Sequence, residues 1–266
     1  SDVHTDLLGS THARFCDQLC PVDVLFLCSG HGESKKFLAA NEIPWHTKIV
    51  DLSTDFRDES EGFVYGLAEF QKAKIQTATK IANPGCFATS IELALLPLSS
   101  AGLLKSAVHV SAITGSTGAG QALSPTSHFS WRNNNVSIYK AFTHQHLTEI
   151  GMVLGAEHPS PKVNFIPYRG NFTRGIMANV YTDYAGTQEE AIELYETYYR
   201  DSPFVFVSEQ AVDVKQVVNT NKCFLHLEVH DGQLLISSVI DNLIKGASGQ
   251  AVQNMNLMLG WPETAG

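Results

Sequence analysis

Between residues 80 and 98 an apolar run stops, turns and resumes with a different period. That change of period fixes a strand–turn–helix at this point of the chain. Lys80-Ile81-Ala82 reads as the end of a strand and Asn83-Pro84-Gly85 as a turn, while Phe87, Ile91, Ala94, Leu95 and Leu98 recur at the spacing of one helix face. Cys86 therefore opens the helix. There the unpaired backbone N–H groups and the positive end of the helix dipole favour a thiolate, and they can hold an oxyanion on a substrate that the sulfur attacks. The competing reading is a buried cysteine acting as a small hydrophobe.

Upstream, Val22 to Cys28 is a continuous apolar run of the kind found in buried parallel strands, and it ends at Ser29-Gly30-His31-Gly32. Residues 34–39 read as helix and 48–53 as a second strand, while residues 1–19 show no firm periodicity. Strands alternating with helices predict a parallel sheet, whose ligands bind at the carboxyl ends of its strands. Both Ser29 to Gly32 and Asn83 to Cys86 fall on that edge. No GxGxxG or GxxGxxG loop follows the first strand, so the chain either starts after such a unit or binds no dinucleotide.

Downstream, residues 108–114 read as a strand running into Gly115-Ser116-Thr117-Gly118-Ala119-Gly120, whose backbone can approach a phosphate or a nicotinamide closely. Residues 126–135, polar and aromatic, read as a loop near the site. His144, His146 and Glu149 supply a partner set for an activated thiol, a histidine with a carboxylate to orient it. A surface histidine pair near a helix N-terminus is the bland alternative, and no third ligand at suitable spacing supports a metal site. Residues 162–167 and 175–181 read as strands flanking a loop that carries Arg169 and Arg174, suited to a carboxylate or phosphate. A helix over 188–200, a hairpin across His230-Asp231-Gly232-Gln233 and a final helix through Met258 complete a strand-rich, mostly antiparallel second half.

The net charge of −9, with no basic cluster, argues against nucleic-acid and anionic-membrane partners. The five cysteines (Cys16, Cys20, Cys28, Cys86 and Cys223) contain no CxxC pair, and free thiols fit a reducing compartment. With no signal peptide and no apolar run of membrane-spanning length, the expected location is the cytoplasm.

Five motifs, in order, resemble one family: Asn83 to Thr89, Gly115 to Gly120, Thr143-His144-Gln145-His146 with Glu149, Gly170-Asn171-Phe172-Thr173-Arg174-Gly175, and Asp241-Asn242-Leu243-Ile244-Lys245-Gly246. Together they are similar to N-acetyl-gamma-glutamyl-phosphate reductase of arginine biosynthesis, a relative of aspartate-semialdehyde dehydrogenase. The resemblance implies an α/β fold: a Rossmann-type NADP-binding domain, N-terminally truncated here because the GxxGxxG unit is missing, and an α+β catalytic and oligomerisation domain. The expected division is 1–85, completed by 244–266, against 86–243.

It further implies NADP as cofactor, an acyl phosphate or semialdehyde as substrate, and a homo-oligomer, dimer or tetramer. Cys86 is the implied nucleophile forming a thioester, His144 the acid/base with Glu149 orienting it, and His146 the reserve. Asn83, Arg174, His146 and, with less weight, Arg169 are expected at the substrate. Ser29, Ser116, Gly118, Ala119, Gly120 and Asn242 are expected at the cofactor. Three rivals differ in chemistry: a reductase of aspartyl phosphate, a Cys-His hydrolase or acyltransferase without nicotinamide, and a catalytically silent subunit.

Overall fold

The computed structural model describes residues 7, 9–11, 14–120 and 122–266, so the lead-in assigned to residues 1–19 falls partly outside the described residues. Its first sheet is built from β1 (Val24–Leu27), β2 (Lys48–Asp51), β3 (Val64–Tyr65) and β4 (Lys80–Ala82), in the order β1-β2-β4-β3 with every pairing parallel. Helices α1 (Glu33–Ala40) and α2 (Ala68–Thr77) make the crossovers after β1 and β3. β1 ends at Leu27, one residue short of the expected Cys28, and β2 stops at Asp51 rather than Ser53. There the Asp51 carboxylate turns the chain by accepting from Ser53 N–H at 3.1 Å and Ser53 Oγ at 2.7 Å.

Helix α3 (Cys86–Ser100) follows β4, and every residue from Phe87 to Ser99 is buried. The expected apolar stripe is thus only part of the contact. The helix lies on β8 (Ile176–Asp183), β10 (Cys223–His230) and β11 (Gln233–Ile240), and it is covered by α5 (His146–Leu154) and α6 (Gln188–Tyr199). Each fully buried Phe, Ile or Leu in such a position contributes about 1.5–3 kcal/mol. Helix α6 adds directional ties, because Tyr195 and Tyr199 donate hydroxyls to the carbonyls of Ala94 and Leu93, each at 2.5 Å. A Thr187–Glu190 capping box starts α6 where the sequence places it.

The second sheet has seven strands in the order β6-β7-β5-β8-β11-β10-β9, with β5 at Val108–Thr114, β6 at Ser137–Ile138, β7 at Val163–Arg169 and β9 at Val205–Val207. Pairings β6–β7, β5–β8, β8–β11 and β10–β11 are antiparallel, while β5–β7 and β9–β10 are parallel. The mostly antiparallel expectation therefore holds, with two parallel joins. Strands β3, β6 and β9 carry no sequence signal of their own, since two or three residues show no period. Two positions expected in a loop, Tyr168 and Arg169, end β7 instead, because β5 and β6 both pair with them. The loop expected over 126–135 contains a short helix, α4 (Phe129–Arg132).

A turn of π-helix over Ile244–Ser248 leads into α7 (Gly249–Leu259), which packs Ala251, Leu257 and Met258 on the first sheet's core with Val50, Ile75 and Ile81. Lys245, fully buried in that turn, donates to Glu69 Oε1 of α2 at 2.7 Å and to Gln253 Oε1 at 3.0 Å. Removing one partner of a buried pair leaves an uncompensated charge. Glu69→Ala should therefore lose about 3–5 kcal/mol in urea unfolding. The double change Glu69→Leu with Lys245→Met should recover most of that loss.

Candidate active site

The carboxyl ends of the first sheet's strands and the ends of β5 and β7 open on one cleft of about 650 Å³, the size of a small-molecule site. Its walls bring together Asn83, Cys86, Gly118, Ala119, Gly120, His144, His146, Arg169 and Asn242, all expected from sequence. His31 joins them from the Ser29 to Gly32 turn expected at this edge, and Arg57, Thr114, Tyr139 and Lys140 join them without having been expected. Ser29, Ser116, Glu149 and Arg174 lie outside the cleft lining.

Glycine is required at two contacts. A Cβ at Gly246 would sit 2.7 Å from Cys86 Cβ, and one at Gly85 would meet the imidazole of His146 and, at 2.7 Å, Arg57 Nη1. The turn before Cys86 is therefore held against α5, and the π-helical turn lies directly on the cysteine.

Cys86 is half-buried. Burial pushes its thiol up to about 11; the nearby Arg57 guanidinium and the Phe87 N–H pull it down, and the Glu149 carboxylate pushes it up again. The helix start acts in the expected direction, but desolvation outweighs it. The resting group is a thiol.

The two histidines are buried rather than on the surface. Burial holds each imidazole at about 3, with His146, Lys140 and Arg169 adding to the effect at His144, and Arg57, His31 and Lys140 at His146. Both are neutral. His144 Nδ1 accepts the His146 N–H at 3.3 Å, which leaves the ring proton on Nε2. His146 Nδ1 is buried without a partner, and its Nε2 lies 3.9 Å from Glu149 Oε1.

Glu149 thus faces His146, and its hydrogen bonds go elsewhere: to Arg57 Nη1 at 2.9 Å, Gly85 N–H at 2.8 Å and the Tyr65 hydroxyl at 3.0 Å. Arg57 was missed because its partners, Glu149 and the carbonyls of Asn83 and Leu52, are distant in sequence or on the backbone.

Other expected residues are already engaged. Asn83 donates to the Ala247 carbonyl at 3.1 Å and accepts from Asn254 at 3.1 Å, tying the turn to α7. Asn242 accepts Gly175 N–H at 2.8 Å and donates to Thr117 Oγ1 at 3.1 Å. Arg174 pairs with Asp241 at 3.2 Å and Asn219 at 2.8 Å. Ser29 Oγ lies 3.2 Å from Ser34 Oγ, and Ser116 N–H donates to the Phe172 carbonyl at 2.7 Å.

Arg169 lines the cleft, its guanidinium 4.4 Å over the Tyr139 ring; its Nε, like that of Arg174, is buried without a hydrogen-bond partner, as is Thr114 Oγ1. Together with His146 Nδ1, the unpartnered atoms of Arg169 and Thr114 belong to residues of the cleft wall.

The parallel sheet joined to a mixed seven-stranded sheet, with a cysteine opening the connecting helix beside two histidines, defines a protein of the semialdehyde dehydrogenase class. The profile of the semialdehyde dehydrogenase dimerisation domain matches residues 86–242. Aspartate semialdehyde dehydrogenase II of Vibrio cholerae superposes with a TM-score of 0.70 at 17% identity, over 90% of this chain and 80% of that one. Among curated proteins, the N-acetyl-gamma-glutamyl-phosphate reductase of Azobacteroides pseudotrichonymphae is 57% identical over all of this chain and 84% of its own length. That of Christiangramia forsetii is 54% identical over 99% and 84%. The chain belongs to the N-acetyl-gamma-glutamyl-phosphate reductase family.

Two measurements check the electrostatics. The rate of Cys86 alkylation by iodoacetamide should keep rising about tenfold per pH unit above pH 8, as the thiolate fraction grows toward a midpoint near 11. The histidines bind protons in the unfolded chain near the ordinary value of about 6.5 but in the fold only near 3, so the unfolded state gains protons first as pH falls. Their contribution to stability is complete above about pH 6.5 and is lost toward pH 3. The urea midpoint should fall between pH 7 and pH 5, and less so in His146→Gln.

Proposed function

We propose that this protein catalyses the NADPH-dependent reduction of N-acetyl-gamma-glutamyl phosphate to N-acetylglutamate 5-semialdehyde and phosphate, in arginine biosynthesis. The observation that carries the reading is Cys86 at the start of α3, in a cleft walled by two neutral histidines, Arg169 and the Gly118–Gly120 loop. It agrees with the names of relatives up to 57% identical.

The Cys86 sulfur attacks the acyl carbon as its proton passes to a histidine. The carbon–oxygen bond to phosphate breaks, phosphate leaves, and a thioester remains on Cys86. His146 suits the proton step better than His144: its Nδ1 is free, and Glu149 stands 3.9 Å behind Nε2 as the orienting carboxylate. His144, with its proton on Nε2, suits donation to an oxygen of the substrate. The first α3 amides, led by Phe87 N–H, face the oxyanion that forms. Arg169 and Lys140, both in the cleft wall, hold the substrate's anionic groups, whereas Arg174 lies outside the lining and pairs with Asp241 and Asn219.

The cleft also fits a nicotinamide cofactor. Gly118 lies so close to Thr114 that a Cβ would stand 2.9 Å from its Oγ1, and at Gly120, with φ of +74°, a Cβ would meet nothing within 4 Å. Gly118, Ala119 and Gly120 would hold the nicotinamide, and the cofactor, when bound, supplies the hydride that reduces the thioester. The protonated histidine neutralises the oxygen of the resulting thiohemiacetal. Loss of that hydroxyl proton then breaks the carbon–sulfur bond, releases the aldehyde and restores the thiol.

The remaining assignments belong to the same reading. The nucleotide-binding domain is 1–85 with 244–266, and the catalytic and oligomerising domain is 86–243. The protein works in the cytoplasm as a homo-oligomer, dimer or tetramer. Among the described residues, no helix is long and apolar enough to cross a membrane.

Reduction of NADP+, followed by absorbance with N-acetylglutamate semialdehyde and phosphate present, tests the reaction. Turnover should require both compounds and should disappear in Cys86→Ser with the fold intact. Breakdown of N-acetyl-gamma-glutamyl phosphate without NADPH, read as released phosphate, would instead indicate a Cys-His hydrolase or acyltransferase, and turnover by Cys86→Ser would refute the thioester. His146→Asn should lower kcat by about 10²–10⁴ with little change in KM. A larger loss in His144→Asn would move the proton step to that residue.

A further inference from the structure

Beneath the Cys86 turn lie two carboxylates and a phenol that none of the steps above uses in full. Glu92, on the second turn of α3, and Tyr65, at the end of β3, are both fully buried. The Tyr65 hydroxyl lies 3.0 and 3.1 Å from the two oxygens of Glu92 and 3.0 Å from Glu149 Oε2. Glu149 Oε2 also accepts the Gly85 N–H at 2.8 Å, one residue before the nucleophile. None of Tyr65, Glu92 and Glu149 lines the cleft.

A phenol has one proton and can donate to only one carboxylate. Its contact with the other must then be a repulsion between lone pairs or a hydrogen bond donated by a carboxylic acid. The charges decide between these. The groups facing this cluster are Arg57 from the loop after β2, His146 and Glu149 from α5, Cys86 and Glu92 from α3, and Tyr65 from β3. Glu59 accepts the Tyr65 backbone N–H at 3.0 Å on the far side. Arg57 is the one permanent cation in the set, and its ion pair is with Glu149 at 2.9 Å. A second buried carboxylate would have no counter-ion to offset its lost hydration, whereas a carboxylic acid needs none. Burial, reinforced by Glu149, accordingly pushes the Glu92 carboxyl well above the usual carboxylate range, and Tyr65 well above that of a phenol.

We propose that Glu92 and Tyr65 are positioning residues for the thiol chemistry: Glu92 carries a proton and donates to Tyr65, Tyr65 donates to Glu149, and Glu149 stays an anion that holds Gly85 N–H and Arg57. The chain of donors runs one way, from the core to the turn. It fixes the height of the turn beneath Cys86, and it keeps the guanidinium beside the sulfur. It also draws negative charge from Glu149 toward Tyr65, which lessens the carboxylate's opposition to a thiolate. The inference rests on Cys86 being the nucleophile, but two of its readouts do not depend on turnover.

Infrared difference spectroscopy of wild type against Glu92→Gln at pH 7 should contain the C=O stretch of a protonated carboxyl; its absence overturns the proposal. The Cys86 alkylation rate at pH 8 should fall about tenfold in Tyr65→Phe, equivalent to a thiol raised by about one unit. In the assay, kcat should fall with KM unchanged, since Tyr65 does not reach the cleft. Glu92→Leu, which takes the donor from Tyr65, should fall in the same direction, and Glu92→Gln, a neutral donor of the same shape, should restore most of the loss. Faster alkylation in Glu92→Gln would mean that Glu92 is an anion and would overturn the proposal, as would wild-type alkylation by folded Tyr65→Phe. If Cys86→Ser retains turnover, the thioester reading fails while the infrared band still reports on Glu92.

Discussion

The ion pair between Arg57 and Glu149 joins the two halves of this protein at the turn that carries Cys86. Arg57 comes from the loop after β2, in the first sheet, and Glu149 from the first turn of α5, packed on the second. The side chains are 8% and 5% exposed, so in the fold each charge depends on the other rather than on water. Both partners reach the same turn: Arg57 Nε donates to the Asn83 carbonyl at 2.9 Å, and Glu149 accepts Gly85 N–H. The position of Cys86 is therefore set from both sides.

The same burial shapes the reactivity. A thiol pushed up to about 11 beside imidazoles held at about 3 cannot rest as an ion pair at neutral pH. In the proposed reaction, proton transfer accompanies attack rather than preceding it.

Much of this was legible in the sequence. Residues 80–98 give strand, turn and helix by period and turn chemistry alone, and Cys86 falls at the helix start with no freedom to lie elsewhere. The long strands β5, β8, β10 and β11 announce themselves because seven or eight residues show a period. Strands β3, β6 and β9 do not, because two or three residues become strands only when a neighbour pairs with them. The arginines show the same divide. A loop reading treats Arg169 and Arg174 alike, yet pairing with β5 and β6 sets Arg169 in the cleft wall, while Asp241, 67 residues from Arg174, occupies its guanidinium.

By itself the sequence determined the order of elements, the cysteine at the start of α3, the glycine loop after β5 and the His-x-His-x-x-Glu segment, because each depends on residues near one another in the chain. The tertiary structure alone decided the ionisation state and partnership of those groups. Desolvation is a property of the packed surroundings, and it overrides the helix dipole at Cys86. Glu149 turns to Arg57, 92 positions away, and to Tyr65, 84 positions away, because buried charge must find its partner wherever the fold brings one.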